Sequence, residues 1–144
     1  MALACLALEE ANDLTILTQA LTSFASEALG AKAEWAHPLI AGVRPHVGQV
    51  EASQLIRPFL RGSKLISGLE PTKDRFKAGL AQERYALRSS PQRLGPLLED
   101  LLSALSQIKV ELNSSLHNPV VNAVAGDIHC GANFQAAVAT LATE

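Results

Sequence analysis

The stretch that most restricts the fold is residues 90–112, SPQRLGPLLEDLLSALSQIKVEL. Leu94, Leu97, Leu98, Leu101, Leu102, Leu105, Ile108 and Leu112 recur at helical spacing, the period of an α-helix with a broad apolar face. Ser90 suits the N-cap, and Pro91 suits the first helical position, where a missing N–H costs nothing. Such a face has to be buried against other helices. The expected fold class is therefore all-α: long helices of a helical-bundle core, with one long mobile loop and a short hairpin.

The rest of the chain divides around that helix. Residues 1–29 contain neither Gly nor Pro, and Leu14, Leu17, Leu21, Phe24 and Ala28 place one apolar stripe on a long first helix. Gly30 follows as a C′ residue. The segment AEWAHPLIAGVRPH reads as a connection with local turns, and a second helix is expected from Val47 to about Arg61, kinked or interrupted at Pro58. Residues 62–88 carry three glycines and a proline with little periodicity, which predicts a long, lid-like loop with short helical pieces. VVNAVAGDIHC suggests a hairpin turning near Gly126 and Asp127, and a last helix is expected from about Asn133 onward. The first helix opens without an N-cap and the last shows no stop signal. The expectation is a single helical piece, residues 1–144, from the central domain of a larger, oligomeric protein.

Apolar residues make up 48% of the chain, so a core is available, and a net charge of −2 without a basic stripe argues against nucleic acid as a partner. The longest apolar run, MALACLAL, is too short to span a bilayer and lacks a basic leader, so no membrane partner and a cytoplasmic location are expected. Cys5 and Cys130 sit in no metal-binding spacing and are expected as free thiols; the four histidines show no paired spacing, so no metal site is expected.

Three polar stretches carry the candidate chemistry. In AQERYALRSSP, Gln82, Tyr85 and Arg88 are spaced by three and would share one face of a helical turn. A guanidinium matches a carboxylate in two parallel hydrogen bonds, and a phenol beside cations can exchange a proton more readily. The alternative is a solvated turn ahead of a helix. In NSSLHNPVVNAVAGDIHCGANFQ, Asn113, His117, Asn118, His129, Asn133 and Gln135 cluster in sequence, either as a polar pocket wall or as amides that satisfy their own loops. In RPHVGQ, Pro45 and Gly48 suggest a fixed turn into a helix, with Gln49 capping it or facing a cavity.

Taken in this order, the three stretches resemble the aromatic amino acid ammonia-lyases and aminomutases. QERYALRSSPQ is similar to that family's Q-D/E-x-Y-x-L/I-R-x-x-P-Q segment, NSSLHNP and GANF to its N-S-x-x-D-N-P and G-G-N-F segments, and RPHVGQ to its P-H-x-G-Q helix start. The resemblance runs through essentially the whole chain. This sequence has His117 where the family has an acid, Ala132 where it has a second glycine, and Arg93 where the family often has an aromatic residue.

The resemblance implies long helices associating four at a time and a methylidene-imidazolone electrophile made from an Ala-Ser-Gly tripeptide. This chain has no such tripeptide, the nearest text being LISGL; in the family it would precede the matching region. It implies that Arg88 grips a substrate carboxylate, that Tyr85 and Gln82 help hold the prosthetic group or the departing amine, that Asn118 binds near the carboxylate or amine, and that Phe134 packs on the prosthetic group. The loop at 62–88 becomes an outer lid. The implied reaction is loss of ammonia from phenylalanine or tyrosine to give an arylacrylate, with this piece inactive by itself. YALR and NFQ fit phenylalanine- or tyrosine-directed members better than histidine-directed ones. Two further readings are an aminomutase, and a non-enzymatic helical association module or degenerate paralogue.

Overall fold

The computed structural model describes residues 2–66 and 82–142, and most of the lid-like loop expected at 62–88 lies outside the described residues. The fold is mostly helical: α1 (Ala2–Ala28), a 3-10 turn (Glu34–Ala36), α2 (Pro38–Gly42), α3 (Val47–Leu60), α4 (Tyr85–Arg88), α5 (Ser90–Leu112), strands β1 (Val120–Asn122) and β2 (Asp127–His129), and α6 (Ala137–Leu141). These form two compact units, residues 12–100 and residues 1–11 with 101–144.

The 12–100 unit holds the larger core: Ala33, Trp35, Ala36, Ala52, Ile56, Leu60, Leu94 and Leu98 pack together. Ile56 is fully buried, so Ile56→Val is expected to cost about 1 kcal/mol in urea denaturation. Polar groups stitch the elements around this core. Ser53 Oγ donates to the Ala36 carbonyl at 3.2 Å, and Ser23 Oγ sits 3.4 Å from the Ile56 carbonyl. The start of α3 is fastened to α5 by Glu99, whose carboxylate accepts the Gly48 N–H at 2.9 Å and so satisfies an otherwise orphaned helix-start donor. There the two backbones nearly touch: a Cβ on Gly48 would lie 2.0 Å from the Gly95 carbonyl oxygen. Gly48 is needed for that close approach, beyond its part in a turn. Gln49 is buried and accepts a hydrogen bond from Arg44.

Helix α1 ends as expected, with Gly30 at φ 58° and the Gly30 and Ala31 amides bonded to the Glu27 and Ser26 carbonyls. Its burial reverses the simple reading of its stripe. Leu14, Leu17, Leu21 and Phe24 are exposed, while Gln19, Ser23 and Ser26 are buried. The serines tolerate burial because their hydroxyls return to carbonyls one turn back, at 2.9 and 2.8 Å. Pro58 is accommodated inside α3, in its last turn, where a lost N–H removes a single bond.

Two start sites differ from expectation. Ser90 lies within α5, and its hydroxyl donates to the Ala86 carbonyl at 3.0 Å, so it does not act as an accepting N-cap. α6 begins at Ala137, because residues 133–136 are taken up by a turn in which the Gln135 amide bonds the Ala132 carbonyl. The hairpin forms as expected. Val120, Val121 and Asn122 pair with His129, Ile128 and Asp127, and Gly126 at φ 77° donates to the Asn122 carbonyl at 2.8 Å. Both cysteines are free. Among the described residues no helix is long and apolar enough to cross a membrane.

Candidate active site

The strip QERYALR folds as a bend followed by the single helical turn α4, so Gln82 precedes the helix and only Tyr85 and Arg88 share it. The three-residue spacing still sorts the side chains. Gln82, Tyr85 and Arg88 are exposed, whereas Glu83 and Leu87 are buried. The Arg88 guanidinium lies over the Tyr85 ring, 5.4 Å from its centroid. That contact favours the cation at this position and holds the two functional groups side by side.

Gln82 and Arg88 line one cavity of about 270 Å³, together with Lys32, Glu34, Trp35, Ile40, Glu83 and Gln92. Trp35 and Ile40 provide apolar wall, the amides of Gln82 and Gln92 can donate and accept, and Arg88 brings a fork of donors. Such a mixture suits a small molecule with an apolar body and an anionic end. Tyr85 is not among the residues that line the cavity; the residue is 72% exposed and its ring lies under Arg88.

Glu83 is the buried charge of the strip. One carboxylate oxygen accepts the Lys32 N–H at 2.8 Å; the other accepts the Arg84 N–H at 2.8 Å and Arg84 Nη1 at 2.9 Å. Burial pushes its pKa up, but the hydrogen bonds from the Arg84 and Lys32 backbones and the Arg84 guanidinium outweigh this and hold it below the ordinary glutamate value. A depressed folded pKa means that the tether contributes fully above the unfolded glutamate pKa and fades as pH falls through the folded one. The melting temperature of Glu83→Gln is therefore expected to lie below that of the native chain at neutral pH, with the gap closing in acid. A gap that is constant from neutral to strongly acidic pH would contradict this.

In the 1–11 with 101–144 unit, Asn118 Oδ1 accepts the Gly131 N–H at 2.8 Å, and Asn133 Nδ2 donates to the Ser115 carbonyl at 3.3 Å. These amides brace the hairpin, as loop amides commonly do. Phe134 is 62% exposed. His129 and Asp127 approach at 3.2 Å on β2. The structure thus joins Gln82 to Arg88 across one cavity and Tyr85 to Arg88 by stacking, and it places Asn118 and Phe134 at the hairpin. Sequence reasoning missed Trp35, Gln92 and Glu83. No sequence signal marked Glu83, since it precedes the helical turn and its burial comes from the contact with residue 32.

The family model for aromatic amino acid lyases (described as Aromatic amino acid lyase) matches residues 1–144, and the chain belongs to that family. Among its relatives, the phenylalanine ammonia-lyase of Cochliobolus lunatus is 50% identical over 151 residues, covering 99% of this chain and 21% of the relative. The phenylalanine aminomutase of Talaromyces islandicus, named as forming L-β-phenylalanine, is 51% identical over 142 residues, with 99% and 20% covered. In three dimensions the chain is similar to phenylalanine ammonia-lyase from Rhodosporidium toruloides, with a TM-score of 0.84 and 36% identity over 96% of this chain and 20% of that one. The chain spans about a fifth of the length of the relatives it matches.

Proposed function

We propose that this chain supplies part of the substrate-holding wall of an enzyme that eliminates ammonia from phenylalanine or tyrosine to give an arylacrylate, and that it is inactive by itself. The carrying observation is the juxtaposition of Arg88 with Gln82 on one cavity and with Tyr85 by stacking. In this reading Arg88 receives the substrate carboxylate in two charge-assisted hydrogen bonds. Gln82 offers its amide to the departing amine or the prosthetic group. Tyr85, stacked against Arg88, offers its hydroxyl as a hydrogen-bonding partner to either. Trp35 and Ile40 line the apolar side of the same cavity. Asn118 and Phe134 are assigned to the reaction by resemblance, toward the carboxylate or amine and toward the prosthetic group.

The methylidene-imidazolone expected for the family would act as an electron sink when bound. Two polar side chains of the 12–100 unit, Gln82 and Tyr85, are exposed and would be available to its edge. The chain itself, having no Ala-Ser-Gly, would not form the group.

The exposed stripe Leu14, Leu17, Leu21 and Phe24 is proposed as a subunit contact, in a tetramer as in the family. Light scattering is expected to show association of the native chain that Leu17→Glu with Leu21→Glu abolishes; a native chain monomeric at high concentration would contradict it.

The test of function is a chimera in which this chain replaces the matching fifth of the Cochliobolus lunatus enzyme. Ultraviolet absorbance should rise with phenylalanine or tyrosine as arylacrylate forms, while the chain alone gives none. A folded chimera without turnover would overturn the reading. Accumulation of a β-amino acid in place of arylacrylate would favour the aminomutase alternative, which the Talaromyces relative makes specific.

A further inference from the structure

We propose that Glu83 is the positioning residue of the site. It would aim Tyr85 and Arg88 by tethering their helical turn to residue 32, and this rests on the functional reading above. α4 spans only Tyr85–Arg88, and a single turn is not stable by itself. Its N-cap, Arg84, has no side-chain cap hydrogen bond. It is held at its end by the Ser90 hydroxyl on the Ala86 carbonyl, on one side by Leu87, 8% exposed, and at its entrance by Glu83, 9% exposed.

The Glu83 carboxylate joins positions 51 apart in sequence through Lys32 N–H, and with its other oxygen takes the backbone and guanidinium donors of Arg84. Both oxygens are thus committed, each to a backbone amide of a different segment. The charged side chains around it are those of Arg84, which bonds it, and of Lys32, Glu34 and Arg88, which line the same cavity. Because Glu83 sits between Gln82 and Tyr85, a shift of this one anchor moves every polar group of the strip together. A site whose supporting contacts are loose loses rate even when its reacting groups are intact.

The experiment compares Glu83→Gln and Glu83→Asp. Glutamine keeps the size but puts an amide donor against one or two of the three donors now bonded to the carboxylate; aspartate keeps the charge. In the chimera, Glu83→Gln is expected to lower kcat/KM about tenfold per folded enzyme, and Glu83→Asp to recover much of it.

Hydrogen exchange on the 144-residue chain reads the tether without activity. Glu83→Gln should lose protection at Lys32 and Arg84, and also at Leu87, Arg88 and Ser89, whose amides bond within α4. Unchanged kcat/KM per folded enzyme, or loss of protection confined to Lys32 and Arg84, would overturn the proposal. If the unsubstituted chimera turns over nothing, the functional reading fails and exchange alone decides for Glu83.

Discussion

Gly48→Ala is expected to destabilise the chain by about 3 kcal/mol or more, at the upper end for an overpacked contact. The new methyl would meet the Gly95 carbonyl oxygen at 2.0 Å and its carbon at 2.8 Å. Both are backbone atoms inside α5 and cannot rotate aside as a flexible side chain would. Relief requires α3 to move away from α5, which would pull the Gly48 amide off Glu99 and open the core between Ile56 and Leu98. Gly95→Ala should behave alike, since its Cβ would lie 2.6 Å from the Gln49 nitrogen. Urea denaturation followed by circular dichroism gives the numbers. A midpoint within error of the native chain for both variants would show that α3 and α5 are not in backbone contact.

The second large effect falls on chemistry. In the chimera, Arg88→Lys is expected to lower kcat/KM on the order of 100-fold, the equivalent of one or two hydrogen bonds to a charged group. An ammonium offers a point charge, so it cannot reproduce two parallel bonds to one carboxylate, and it stacks less well on the Tyr85 ring. Retained stability with lost turnover is the expected pattern, because Arg88 is exposed. Near-native kinetics would remove Arg88 from the site.

The helix α5 was legible because a leucine repeat this long has few other solutions, although Leu97, Leu102, Leu105 and Leu112 of its apolar face are exposed, and Val47–Leu60 was legible from the turn signal at Pro45 and Gly48. The hairpin was legible from Gly126 and Asp127. What α1 buries was not legible. Leu17 and Ser23 lie on different faces of the same helix, and only the neighbouring Ile56 carbonyl and the carbonyls one turn back explain why the serine side goes inward. The start of α5 was misjudged at Ser90 because a hydroxyl can accept from the helix or donate to the preceding turn, and here α4 supplies the Ala86 carbonyl. Within the site, Arg88 and Tyr85 could be named from their chemistry. Glu83 could not, since a glutamate in a polar strip reads as solvated until the chain folds residue 32 against it.

The most direct measurement compares phenylalanine with its carboxamide in the chimera, with Arg88 native and with Arg88→Lys. The native site should prefer the acid strongly, and the substitution should collapse that preference while changing the amide's kcat/KM little. Equal losses for acid and amide, with the preference intact, would show that the guanidinium at position 88 does not meet the carboxylate.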